Sequence, residues 1–164
     1  MSDIETERQI RYWLLDMDGV LIHEEDPIPG APEFINRLKE LEIPFLVLTN
    51  SSIYSRRDLS ARLHRSGLEV PEKSIWTSAL ATATFLRDQR PNGSAFVVGE
   101  PGLATAMHEA GYTINESDPD YVVLGETRTY SFERITQAIR LILKGARFIA
   151  TNDGDDLAIY DRPG

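Results

Sequence analysis

Tyr12-Trp13-Leu14-Leu15-Asp16-Met17-Asp18-Gly19-Val20-Leu21 is the stretch on which the fold turns. An apolar run ends abruptly in one acid, and a second acid follows two residues later. Such a run, without alternation, suits a strand covered on both faces, as in a parallel sheet. Ligands of open parallel sheets sit beyond the carboxyl ends of the strands. Side chains two apart in extended backbone point the same way, so Asp16 and Asp18 are expected to enter one crevice. Gly19 then lets the chain turn with an unusual φ and keeps the approach to a ligand open.

Four further apolar runs lie downstream. Phe45-Leu46-Val47-Leu48 leads into Thr49-Asn50, and Ala95-Phe96-Val97-Val98 ends at Gly99-Glu100. Tyr121-Val122-Val123-Leu124 ends at Gly125-Glu126, and Arg147-Phe148-Ile149-Ala150 ends at Thr151-Asn152. Five amphipathic patterns separate or flank them. Phe34, Ile35, Leu38 and Leu41 share one face, and Leu59 and Leu63 mark the next helix. Leu80, Ala83 and Leu86 face inward on a third, and Leu103, Ala106, Met107 and Ala110 on a fourth. Ser131 caps a fifth, with Phe132, Ile135, Ile139 and Ile142 inward. Trp13 and Trp76 read as core. Strand and helix alternate, so the class is α/β with mainly parallel pairing. The turn-rich Gln89–Ser94 segment divides the chain into a first unit, residues 1–92, and a second, residues 93–164.

Composition narrows the function. The 164 residues are 41% hydrophobic and 26% charged, which allows a packed core. There is no cysteine, so disulfides, thiolate metal sites and cysteine nucleophiles are excluded. No apolar run approaches a membrane span, and a cytoplasmic location is the simplest expectation. The formal net charge of −9 disfavours nucleic-acid partners. Arg56-Arg57 and Arg62 to Arg65 read as a solvated helix face. His23 reads as a solvated loop residue.

Asp16 and Asp18 would repel each other and any phosphate dianion. A hard divalent cation resolves both conflicts, and oxygen ligands suit Mg²⁺. One carboxylate can then attack phosphorus while the other exchanges a proton with the leaving oxygen and the hydrolytic water. Thr49-Asn50-Ser51-Ser52, at the end of the next strand, offers hydroxyl, amide and backbone N–H groups to phosphate oxygens. The same residues would also serve as an ordinary helix cap.

Together, Trp13 to Leu21 and Val47-Leu48-Thr49-Asn50 resemble motifs one and two of the haloacid-dehalogenase-like (HAD) phosphatases. Val97-Val98-Gly99-Glu100, Val123 to Arg128 and Ala146 to Asn152 resemble the NagD-type, class IIA branch of that family, known for nucleotide phosphatases. The resemblance implies the N-terminal half of a HAD-like Rossmannoid core, followed by an α/β cap that covers the site. It implies that Asp16 becomes phosphorylated, that Asp18 is the acid/base and that Thr49 binds the transferring phosphoryl group. The Asp16 side chain and the Asp18 backbone carbonyl would hold Mg²⁺. Gly19, Asn50, Ser51 and, for the leaving group, Asn152 complete the expected substrate contacts.

The family's motif-three lysine and motif-four acids do not stand out. Lys144 closes a helix where the motif lysine opens one. The run Asn152-Asp153-Gly154-Asp155-Asp156 follows too closely on Lys144 to leave room for a helix and a strand. The expectation is a chain that stops within its cap, with weakened metal binding. The expected activity is hydrolysis of small phosphomonoesters, nucleoside monophosphates or sugar phosphates, through an aspartyl-phosphate. A non-catalytic phosphate-binding or regulatory domain and a phosphoglucomutase-type transferase are the alternatives. Association with a second copy through the cap is left open.

Overall fold

The computed structural model describes residues 10–152. The acidic run from Asp153 to Asp156, and the rest of the expected second unit, lie outside them. The architecture is α/β, with two parallel sheets carried by successive stretches of chain.

The first sheet has the order β1-β4-β5, formed by Trp13–Asp16, Phe45–Thr49 and Ile75–Thr77. β1 and β4 pair in parallel with Leu15 opposite Val47 and Asp16 opposite Leu48. β4 continues to β5 with Val47 opposite Ile75 and Thr49 opposite Thr77. Leu15, Val47 and Ile75 therefore line one face, which is buried under α1, Ala31–Glu40, and α2, Arg56–Arg65. Ile35, Leu38, Leu59 and Leu63 supply the helical side of that core, as their spacing predicts. The opposite face carries Leu14, Leu46, Leu48 and Trp76. Leu14 is 69% exposed and Trp76 38%, so Trp76 is not the core residue its sequence suggests. Trp13 is half-buried and packs edge-on against Phe34, with ring centroids 5.0 Å apart.

After β1 the chain makes a small antiparallel hairpin from β2, Ile22–His23, and β3, Asp26–Pro27. Its turn places Glu24 at a φ of 56°. Helix α2 starts with a reciprocal capping box, Ser55 and Asp58 each satisfying the other's backbone N–H.

The second sheet has the order β7-β6-β8-β9, all parallel. β6 is Ser94–Val98, β7 Thr113–Ile114, β8 Tyr121–Leu124 and β9 Arg147–Ala150. Ala95, Val97, Tyr121 and Val123 face α4, Pro101–Glu109, whose Leu103, Ala106 and Met107 are buried. Phe96, Val98 and Val122 face α5, Phe132–Leu143. On α5 the buried residues are Ala138 and Leu141, whereas Phe132 is 85% and Ile139 53% exposed. Of its expected inward face, Ile135 and Ile142 pack half-buried against this cluster, whereas Phe132 and Ile139 do not.

Helix α3, Ser78–Gln89, follows β5 but shares its apolar face with the second sheet: Ala79, Ala83 and Leu86 join the cluster of Ala95, Val97 and Leu103. Three short strands, β2, β3 and β7, and the three-residue β5 had no signature in the hydrophobic pattern, being too short to show a period.

Candidate active site

Asp16 is the last residue of β1 and is exposed at the carboxyl edge of the first sheet. Met17 follows fully buried, its N–H donating to the Leu48 carbonyl at 3.0 Å. That bond carries β1's pairing with β4 one residue beyond the strand. Because Met17 points into the core, Asp16 and Asp18 on either side of it point out, as alternation requires. The Met17 N–H lies 2.9 Å from Asp16 Oδ1 as well. Gly19 sits at a φ of 81°, and its N–H donates to the Ile22 carbonyl at 2.7 Å. The left-handed turn brings Ile22 back beside Asp18, starting the hairpin.

Thr49 ends β4 and is buried. Its Oγ1 donates to Asp18 Oδ2 at 3.4 Å and accepts the Ser51 N–H at 3.2 Å. Asn50 turns the chain over the site, and its carbonyl accepts Ser78 Oγ at 2.6 Å. Ser51 Oγ accepts the Ile53 N–H at 3.3 Å, so the loop is held by its own hydroxyls. Asp16, Asp18, Gly19, Thr49, Asn50 and Ser51 thus share the ends of two adjacent strands. Asn152 does not join them: it is half-buried after β9 in the second sheet, with no hydrogen bond to Asp16, Asp18 or Thr49.

Arg62 escaped the sequence reading, and Ser52, expected among the phosphate donors, is engaged elsewhere. Arg62 leaves the solvated face expected for it: its side chain is only 25% exposed, and Nη1 lies 3.8 Å from Asp18 Oδ1. Ser52 is fully buried, and its Oγ accepts the Glu126 N–H at 2.8 Å. That bond joins the loop after Thr49 to the end of β8. A second tie runs from the Gly102 N–H to the Ile53 carbonyl at 3.0 Å. Of the glycines at these ties, Gly102 is required by space, because it faces backbone, whereas Gly125 faces side chains that can shift. A Cβ on Gly102 would lie 2.5 Å from the Tyr54 carbonyl carbon, and one on Gly125 would lie 2.6 Å from Leu103 Cδ2. The carboxyl ends of β6 and β8 therefore abut the loop that follows β4. Glu100 and Thr127, from those two ends, are bonded to each other at 2.6 Å.

The donor set of the acidic edge is all oxygen. Among the described residues no group of three or more His, Cys, Asp or Glu is placed to hold a metal ion. Two neighbouring, exposed aspartates still fit a small hard cation that keeps part of its water shell and completes its coordination with phosphate oxygens.

The edge thus sets two aspartates beyond one strand and a buried threonine beyond the next. The chain belongs to the haloacid dehalogenase-like hydrolase family, whose model matches residues 13–113. It is 60% identical over 140 residues to a dihydroxyacetone phosphatase of Corynebacterium glutamicum strain R, covering 85% of this chain and 51% of that protein. It is 41% identical over 143 residues to the ribonucleotide monophosphatase NagD of Escherichia coli K12, covering 87% of this chain and 57% of NagD. The solved structure of that NagD superposes with a TM-score of 0.80 over 87% of this chain and 57% of NagD. A 4-nitrophenylphosphatase from Thermotoga maritima superposes with a TM-score of 0.81 at 34% identity, over 87% of this chain and 55% of that one. The chain spans about half the length of the curated relatives it matches.

Proposed function

We propose that this chain carries the nucleophile and the acid/base of a phosphomonoesterase. Asp16 attacks the phosphorus of the substrate through a carboxylate oxygen, and the bond from phosphorus to the leaving oxygen breaks. Asp18 gives its proton to that oxygen, releasing an alcohol and leaving an aspartyl-phosphate. Water then attacks the phosphorus, Asp18 takes the proton, and inorganic phosphate leaves with Asp16 restored. Thr49, the Asn50 N–H and the Ser51 hydroxyl hold the phosphoryl oxygens as charge redistributes.

The family's Mg²⁺ would be held by the Asp16 side chain and the Asp18 backbone carbonyl. When bound, it neutralises the charge that two carboxylates and a phosphate bring together. The observation that carries this reading is the bond from Thr49 to Asp18 beside Asp16. The bond supports a reading in which the end of one strand aims the acid/base carried by the other. The second unit, from about residue 93, is proposed as the cap that reads the leaving group, since the ends of β6 and β8 are tied to the loop at Ser52 through Gly102 and Glu126. The names of the relatives favour small sugar and triose phosphates first, with ribonucleoside monophosphates second.

The test is Mg²⁺-dependent phosphate release from dihydroxyacetone phosphate, hexose phosphates and nucleoside monophosphates, with Asp16→Asn as control. Turnover that disappears in the control supports the reading. Turnover that survives it sinks the nucleophile assignment, and a stable phospho-aspartate without turnover favours a regulatory domain.

A further inference from the structure

Helix α2 meets the hairpin and the acidic edge through one polar stripe. Arg62 and Ser66 lie four residues apart, hence on one face of the helix. Arg62 Nη2 donates to the Glu24 carbonyl, and Ser66 Oγ donates to the next carbonyl, that of Glu25, at 2.6 Å. These two carbonyls form the hairpin turn, where Glu24 holds its positive φ. The other arm of the same guanidinium, Nη1, faces Asp18 Oδ1 at 3.8 Å.

Asp18 is thereby held from two sides. Thr49 takes Oδ2, and Arg62 takes Oδ1. An ion pair at this exposure adds little to stability. What it restricts is direction: a carboxylate that must deliver a proton to one oxygen has to be aimed at it. The planar fork of arginine suits this double duty, because its two Nη groups diverge in a fixed geometry that a lysine lacks.

We propose that Arg62 is a positioning residue for Asp18, setting the direction of its carboxylate against the hairpin turn. The kinetic consequence rests on the reading of Asp18 as acid/base, whereas the structural consequence does not. Ser66 provides the control, since it anchors the same turn without reaching Asp18.

The experiment compares Arg62→Met, Arg62→Lys and Ser66→Ala in the full chain by amide NMR and by kinetics. Arg62→Met is expected to shift the Asp18, Gly19 and Glu25 amides together, and Ser66→Ala the Asp26 amide, which shares its peptide group with the Glu25 carbonyl, alone. An Asp18 amide unmoved by Arg62→Met, or moved as far by Ser66→Ala, overturns the proposal without reference to activity. In kinetics, Arg62→Met should lower kcat/KM, which reports formation of the aspartyl-phosphate and not its hydrolysis, about tenfold on dihydroxyacetone phosphate, whose alkoxide needs a proton. It should change kcat/KM less than about threefold on 4-nitrophenyl phosphate, whose phenolate leaves unaided. Arg62→Lys should recover part of the difference. Equal losses on both substrates count against the proposal. Where the wild-type chain turns over neither substrate, the amide shifts alone decide the proposal.

Discussion

Thr49 Oγ1 donates to Asp18 Oδ2 across 3.4 Å, joining the ends of two parallel strands 31 residues apart in sequence. The hydroxyl is buried and also accepts the Ser51 N–H, so its direction is fixed by the loop it belongs to. In the proposed reaction it serves both the phosphoryl group and the acid/base. Thr49→Ser should keep activity within about threefold of wild type. Thr49→Val keeps the shape but removes the donor, and kcat/KM should fall about 10²-fold. Steady-state kinetics on any accepted phosphomonoester decides it, and a fully active Thr49→Val protein would remove the hydroxyl from the mechanism.

The junction between the two sheets depends on Gly102. Its missing Cβ is replaced by the backbone of Ile53 and Tyr54, which cannot swing aside as a side chain can. Gly102→Ala should therefore destabilise the protein by about 1–3 kcal/mol and displace the loop after Thr49. Urea unfolding and the amide shifts of Ser51–Tyr54 report the two effects. An unchanged midpoint with unchanged shifts would show that the approach is looser than described.

Neighbouring leucines of β1 should respond differently to truncation. Leu15 is buried against Val47 and Ile75, and Leu15→Ala should cost about 2–5 kcal/mol. Leu14 is 69% exposed on the open face, and Leu14→Ser should stay within about 0.5 kcal/mol. Comparable losses in denaturant titration would mean that Leu14 is covered in solution by something the described residues do not include.

Tyr112 is buried, and its hydroxyl reaches the carbonyls of Leu86 at 2.8 Å and Arg90 at 2.7 Å. One proton serves these two acceptors in turn. Burial, with Tyr121 and Asp120 nearby, raises its pKa above the ordinary value of 10.0. The unfolded chain therefore ionises first. The stability this contributes is complete below about pH 10 and is lost as pH rises through the higher folded value. Tyr112→Phe should cost about 1 kcal/mol at neutral pH and give a shallower alkaline decline. An identical alkaline profile in wild type and variant would assign that decline to other groups.

Much of the site was legible locally. An apolar run ending in Asp16, with Asp18 two residues on, states its own geometry, because alternation about a buried Met17 leaves few arrangements. The same holds for Thr49 at the end of β4, and for α2 and α4, whose apolar spacing matches the residues they bury, while α1 buries Ile35 and Leu38 as expected but leaves Leu41, at its C-terminal end, exposed. Short elements were not legible: β5 spans three residues, and Trp76 within it, a large apolar side chain, gives no hint that its face of the sheet stays open.

The sequence by itself determined the parallel α/β alternation, the acidic strand end and the threonine beside it, since each depends on residues close together in the chain. Only the tertiary structure decided the partners. Arg62 bonds to a carbonyl 38 residues away, and Ser52 accepts an N–H from 74 residues away. An arginine on an amphipathic helix and a serine after a strand read the same locally whether they meet water or a partner far along the chain. The packing of α2 on the hairpin and of the second sheet on the loop after β4 is what separates the two. Those contacts follow from the summed burial of two cores, not from any single stretch of residues.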